Sequence, residues 1–249
     1  MDRLLELTYR AEQTHFWFRG FRQFMRPLLA RATAGVADAR ILDCGCGTGS
    51  NLDMLRPFGR AVGFDLTSVG PQFAHAHGHR VAQASIAAIP FTSNTFDVVT
   101  SFDVFQCLPD EVERSAIRDM ARVLKPGGWI VLNVAALELL HGRHSVLSEE
   151  VRRYTPSRLR AIVESAGFRI ERLSFAHASL LPILLPTRMW QRMMAPPGGV
   201  EAGEFEIAVP IAPINGTLSA LVTLEAVALR AIDMPVGSSL MCLARKPHA

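Results

Sequence analysis

The run ILDCGCGTGS at residues 41–50 sets three glycines, two cysteines and an aspartate directly after two aliphatic residues. Three readings compete for it: a cysteine metal site, a dinucleotide fingerprint, or a loop that lets another nucleoside ligand approach the backbone. The metal reading fails on spacing. Cys44 and Cys46 have no second pair nearby, and Cys107 and Cys242 lie in no CxxC and beside no His pair. A structural zinc site needs four ligands at characteristic spacings, so no metal is expected and the cysteines read as small residues of a tight turn. The dinucleotide reading needs G-x-G-x-x-G, but the glycines stand at 45, 47 and 49 and the third fingerprint position is Ser50. Asp43 would also repel a pyrophosphate, whereas a ligand with an ammonium group would be drawn to it.

Outward from this run the chain alternates short apolar segments with helical ones. RILDCG precedes a helix from about Ser50 to Phe58; RAVGFDL precedes a helix through the 70s; HRVAQAS and FDVVTSFDV follow. A helix from Glu111 to Leu124 ends in Lys-Pro-Gly-Gly, before WIVLNVAA. Strand–helix repetition with strands apolar on both sides predicts a parallel sheet covered by helices on both faces. Residues 1–36 read as helical with a break near Arg19–Gly20, and 137–154 as a loop or short helix. Thr155-Pro156 opens a helix to about Ala166, with Thr as N-cap and Pro in the first turn. FRIERLSFAH is a strand candidate, PPGG at 196–199 a loop, 215–232 an amphipathic helix and SSLMCLARK a last strand.

Composition bounds the rest. The 249 residues are 49% hydrophobic with a formal net charge of +3, enough apolar chain for a full core and too little charge to argue for nucleic acid. The segment from Arg152 to Arg192 is rich in Arg and poor in acids, which suits a solvated basic face, an anionic substrate or an anionic membrane. Four scattered cysteines form no disulfide framework. The N-terminus shows no secretory signal, so a cytoplasmic location is the default expectation. LLPILLP at 180–186 is too short to span a bilayer; it leaves burial or peripheral membrane contact open.

The motif D-x-G-x-G-x-G at the end of a first strand, with an acid ending the second, resembles the class I S-adenosylmethionine-dependent methyltransferases. DCGCGTG (43–49), GFD (63–65), AIPFTSNTFDVV (88–99) and ARVLKPGGWIVLNV (121–134) stand in that family's order. The resemblance implies a Rossmann-like, doubly wound α/β fold with a mostly parallel seven-stranded sheet, its last strand antiparallel, and a helical cap. It implies one domain over 1–249: an N-terminal cap (1–36), a cofactor-binding core (37–136), and substrate-side segments plus final strands (137–249). The cofactor would be S-adenosyl-L-methionine, leaving as S-adenosyl-L-homocysteine. Asp43, Gly45, Cys46, Gly47, Gly49, Asp65, Leu66, Ser85, Ile86 and Phe102 are the candidate cofactor residues, with Asp65 on the two ribose hydroxyls. Members often carry an acid where the adenine amino group is met; here the position is Ser85.

A narrower likeness, to a bacterial "type 11" subgroup, covers His15 to Phe18, the loop His144 with RRYT and AGF, and Asn215, Glu225 and PVGSSLMCLARKP near the end. Where the subgroup often has Asp after the loop His, this chain has Ser145. His144 and His15 are the candidate general bases, since His titrates in the useful range, and Tyr154 a candidate for orienting substrate. Trp17, Asp103, Phe105 and Gln106 are candidate substrate contacts, the last three because they follow the fourth strand, whose carboxyl end borders the crevice of doubly wound sheets. The expected reaction is methyl transfer to a small-molecule or lipid-like acceptor, by a monomer or homodimer. No nucleic-acid partner is expected: SFDVFQ stands where a DNA base methyltransferase shows an N-P-P-Y-like run. A non-catalytic cofactor-binding scaffold is the alternative.

Overall fold

The computed structural model describes residues 9, 11–142, 145, 148–194 and 209–248. Strands β1 (Ala39–Cys44), β2 (Gly59–Asp65), β3 (Val81–Gln83), β4 (Phe96–Phe102), β5 (Leu124–Ala135), β6 (Arg169–Ala176) and β7 (Ser239–Arg245) form one sheet. Their order is β3-β2-β1-β4-β5-β7-β6. The first five run parallel, with Ile41 beside Ala61 and Val98. Strand β7 inserts antiparallel between β5 and β6. The expected α/β sheet and its reversed last strand are therefore present.

Successive strand residues point to opposite faces, and both faces are covered. Val99, Leu132 and Cys242 pack with Ile117 and Met120 of helix α4 (Asp110–Val123) and Leu159 and Val163 of α5 (Pro156–Ser165). Their neighbours Val98, Val131 and Met241 face the other way, against Phe24, Met25 and Leu28 of α1 (Phe16–Ala32) and Val222 of α7 (Ala212–Ala228). Short helices α2 (Ser50–Leu55) and α3 (Val69–Ala76) complete the β1–β3 crossovers.

Several boundaries differ from expectation. Helix α1 runs unbroken through Arg19–Gly20. A Cβ on Gly20 would lie 2.1 Å from Val222 Cγ1, so the glycine serves close approach of α7 rather than a break. The apolar face of α1 packs on the sheet, its Arg22 Nη2 donates to Ser50 Oγ at 3.1 Å, and the segment before it also reaches the glycine loop. There Thr48 Oγ1 donates to Glu12 Oε2 at 2.7 Å, and Tyr9 OH meets His77. Lys-Pro-Gly-Gly is not a turn after α4 but the first part of β5. Lys246 Nζ donates to the Ala121 and Leu124 carbonyls at 2.8 and 2.7 Å, securing that junction. The expected helix at 215–232 begins at Ala212; its exposed positions include Ile214, Leu224 and Val227, and its one charged side chain, Glu225, is buried. An amphipathic pattern is absent because apolar side chains fill the outward face as well as the inward one. The run at 181–194 is helix α6 (Leu181–Met194) despite Pro186. Among the described residues no helix is long and apolar enough to cross a membrane. PPGG at 196–199 lies outside the described residues.

Candidate functional site

The carboxyl ends of β1, β2 and β4 meet at one edge, and the glycine loop rises from the middle of it. Gly45 and Cys46 N–H donate to the Phe64 carbonyl at 2.9 and 3.0 Å, tying the loop to β2. All three glycines have positive φ (81°, 50° and 83°), but for different reasons. A Cβ on Gly45 would meet Val104 Cγ2 at 2.3 Å, and one on Gly49 would meet Ala74 Cβ at 2.7 Å. Gly47 faces nothing within 4 Å on that side. Two glycines therefore serve close assembly, and the middle one leaves backbone open to a ligand.

Asp43 is buried beneath this loop. Its Oδ1 accepts from Thr100 Oγ1 at 2.6 Å, while Oδ2 is buried without a partner. Burial pushes the carboxyl up to about 7; the Thr100 hydrogen bond opposes the rise and Asp65's charge adds to it. An orphaned carboxylate oxygen is costly, and a cationic group brought to it relieves that cost. Asp65, half-buried at the end of β2, accepts from Gly47 N–H at 2.8 Å on Oδ2. Its Oδ1 takes both Thr67 N–H (2.9 Å) and Thr67 Oγ1 (2.8 Å). A carboxylate offers about four acceptor places, so one place remains and a second ribose hydroxyl would have to displace a Thr67 contact. Leu66 is 70% exposed beside it. Ser85 and Ile86 form the turn beyond β3, Ser85 Oγ accepting from Ala87 N–H at 3.2 Å. Cys46 and Phe102 are buried, Phe102 edge-on to Phe21 at 5.1 Å; their side chains line the core beneath the crevice.

On the β4–β5 side, Asp103 adopts φ 57° and is exposed to the crevice. Asn133 Nδ2 donates to its Oδ1 at 2.9 Å. Protein surrounds the carboxyl except toward the opening, and that desolvation, with Glu150's like charge, holds it above the usual carboxylate range. Glu150 pairs at 3.1 Å with Arg153, whose Nη1 donates to the Ala136 carbonyl at 3.0 Å.

Four of the sequence candidates take other roles. Tyr154 is 1% exposed and its hydroxyl is bonded to Glu113, which also accepts from Arg158 at 2.8 Å; it is a buried clamp between α4 and α5, not a substrate contact. Phe105 is fully buried in the core under α4. Gln106 is buried, its carbonyl accepting from Val151 N–H at 2.9 Å to hold the RRYT segment. His15 is the N-cap of α1: its Nδ1 accepts from Trp17 N–H at 3.1 Å, and burial lowers its pKa, so it is a poor proton acceptor. His144 lies outside the described residues.

Trp17 is half-buried and lies flat on His177, ring centroids 3.9 Å apart. His177 was not foreseen from sequence. It is 1% exposed, has both ring nitrogens without partners, and meets Phe24 edge-on at 4.9 Å. Asn215 and Glu225 prove to be braces. Asn215 accepts from Phe16 N–H and donates to the Thr14 carbonyl, each at 2.9 Å. Glu225 accepts from the Ala178 and Ser179 N–H groups at 2.9 Å. Thr100, Asn133, Glu150 and Arg153 were also missed; no local pattern marks them, because strand pairing and the 137–154 loop bring them to the crevice. The hollow of about 560 Å³ near Thr33, Asp38 and Arg60 opens at the opposite ends of β1 and β2, away from all these groups.

Residues 42–132 match a family model described as a methyltransferase domain. A probable S-adenosylmethionine-dependent methyltransferase of Mycobacterium tuberculosis is 28% identical over 174 residues, covering 65% of this chain and 61% of that protein. A malonyl-[acyl-carrier protein] O-methyltransferase of Herminiimonas arsenicoxydans is 30% identical over 144 residues, covering 56% and 54%. The chain thus spans less than two thirds of the length of these relatives. A solved structure of Haemonchus contortus phosphoethanolamine N-methyltransferase 2 with S-adenosyl-L-methionine superposes with a TM-score of 0.63 at 18% identity, covering 99% of this chain and 57% of that one. In its fold, its glycine crevice and its matched segment, the chain is similar to the class I S-adenosylmethionine-dependent methyltransferases. The matched segment 42–132 runs from within β1 to within β5 and contains the glycine loop, and S-adenosyl-L-methionine is the cofactor of that class.

Proposed function

We propose that this chain transfers the methyl group of S-adenosyl-L-methionine to a small-molecule or lipid-like acceptor. The observation that carries the reading is the orphaned, buried Asp43 Oδ2 below an open Gly47 face. A cofactor with an ammonium and a sulfonium fits that pair, as a pyrophosphate would not. Asp65 would hold the ribose, Leu66 offers an apolar shelf, and the Ser85–Ile86 turn lies beyond them. When bound, the cofactor supplies an electrophilic methyl on sulfur.

The remaining work belongs to the chain. In-line displacement depends on holding acceptor and methyl in reach and keeping water out. Asp103, exposed in the crevice and held by Asn133, would orient an acceptor or take its proton. The acceptor class draws support from the relative named as a malonyl-[acyl-carrier protein] O-methyltransferase. Calorimetric titration with S-adenosylmethionine and S-adenosylhomocysteine, with NAD as control, tests the reading. Micromolar binding of both sulfur ligands without NAD binding is expected; NAD binding alone would overturn it.

A further inference from the structure

Three segments meet at the crevice end of the sheet. After β5 comes the turn Glu138–Leu140, and after β6 the turn Ala178–Leu180, which leads into α6. The two strands end level, since Ala135 and Ala176 both pair with Ser239 of β7. Helix α6 starts there and packs against the Glu138–Leu140 turn. Helix α7 begins at the same end. Its Asn215 holds Phe16 N–H and the Thr14 carbonyl, just after Glu12 reaches Thr48 of the glycine loop.

Each segment turns large apolar side chains to solvent. Leu139 of the turn, Ile183, Met189 and Trp190 of α6, and Ile211 and Ile214 at the start of α7 are exposed, Trp190 by 61%. The run LLPILLP is divided: Leu180 and Leu181 are buried, whereas Ile183 is not. Apolar groups gathered at one end of a molecule mark an interaction surface rather than scatter. The charge beside them on α6 is positive. Arg188 and Arg192 stand one turn apart on that helix, and no Asp or Glu occurs from Arg172 through Val200. Glu138 is the acid of the packed turn; Glu201, Glu204 and Glu206 lie outside the described residues. Tryptophan and aliphatic side chains beside arginine suit the boundary between phospholipid headgroups and acyl chains. With 14 residues, α6 is too short to cross a bilayer and would lie along its surface. A second copy seated here would cover the crevice end, whereas a bilayer would bring its own lipids to it.

We propose that the crevice end of this protein docks on an anionic phospholipid bilayer, with Ile183, Met189 and Trp190 of α6 entering the headgroup–acyl boundary. Apolar burial supplies most of the attraction, and the α6 arginines supply the preference for anionic lipid. The placement of the crevice rests on the cofactor reading above. Vesicle binding needs no cofactor, so the two readings fail separately.

The test is co-sedimentation with vesicles of phosphatidylcholine alone and of phosphatidylcholine mixed with phosphatidylglycerol, for wild type and for Ile183→Ser combined with Trp190→Ser. Both positions are exposed, so the variant keeps the fold; circular dichroism and calorimetry with S-adenosylhomocysteine check it. Wild type is expected to partition onto the mixed vesicles at least about fivefold more strongly than onto phosphatidylcholine. The double variant should lose at least about tenfold on the mixed vesicles. Brominated lipid should quench the tryptophan emission of wild type, and Trp190→Ser alone should remove most of that quenching. Absence of wild-type binding to mixed vesicles, or a folded double variant that binds as wild type does, overturns the proposal. So does a homodimer, seen by light scattering, that the double variant dissociates while neither protein binds vesicles; a second copy would then cover this surface.

Discussion

Replacing Asp43 by Asn tests the site most directly. The native carboxyl sits at about 7, raised from 3.8 by burial, whereas the unfolded chain ionises at its ordinary value. In the native state the charged form is the disfavoured one. Its destabilisation is fully present above pH 7 and is relieved as pH falls from about 7 toward 3.8. The shift corresponds to an upper figure of about 4 kcal/mol. Asp43→Asn therefore raises the unfolding midpoint of the ligand-free protein at pH 8 and leaves it little changed at pH 4. Cofactor binding runs the other way. If Asp43 must be ionised to receive an ammonium group, about nine-tenths of the protein is competent at pH 8 and about one-tenth at pH 6. Affinity for S-adenosylhomocysteine falls about tenfold over that interval. The ligand's own amine, with a pKa of about 8, works weakly in the opposite sense; the ratio of wild type to Asp43→Asn removes it. Calorimetry at pH 8, 7 and 6 on both proteins reads the effect. A ratio that stays constant with pH, together with an unchanged midpoint at pH 8, would refute the assignment of Asp43 as a strained, ligand-seeking carboxylate.

Three further outcomes follow from the same geometry. Asp65→Ala and Gly47→Val should each weaken S-adenosylhomocysteine binding while circular dichroism stays native, the first by removing the Gly47 and Thr67 anchor, the second by strain at φ 50°; undiminished binding in both would sink the site. Gly20→Ala would gain about 1 kcal/mol from helix propensity alone, yet the contact with Val222 predicts a loss of about 1–3 kcal/mol in urea unfolding. A Val222→Ala partner should recover part of that loss in a double-mutant cycle. His177 is buried neutral, its pKa lowered to about 3 from 6.5. The unfolded chain takes the proton first, so this residue costs the fold about 2 kcal/mol between pH 7 and pH 5. His177→Phe should flatten that part of the urea-derived stability profile, and parallel profiles would count against it.

The glycine run and the strand-end acids were legible because their chemistry is local. Asp43 and the three glycines lie within seven residues, and backbone conformation there follows from residue type. The alternation of apolar runs likewise predicts a doubly covered sheet, since burial on both faces leaves no polar register. Helix ends were less legible. A break was expected near Arg19–Gly20, but His15 caps a helix that runs through it, and Gly20 gives α7 room to approach closely. Tyr154 looked like a ligand group because a lone Tyr in RRYT is conspicuous; Glu113, forty-one residues earlier, claims it.

Residue chemistry alone decided that this chain makes an α/β sheet with a nucleoside-binding loop at its centre. Apolar periodicity and glycine conformations are properties of short segments and survive without knowledge of their neighbours. Only the tertiary structure decided which polar groups are free. Asp43 is left with one empty oxygen because β4 brings Thr100 to the other. Asp65 is nearly saturated because the loop folds Gly47 back onto it. Asp103 stays open to the crevice while Tyr154, Gln106 and His15 are consumed by packing. Availability of a hydrogen bond depends on partners from distant segments, and their arrival is set by the fold's topology.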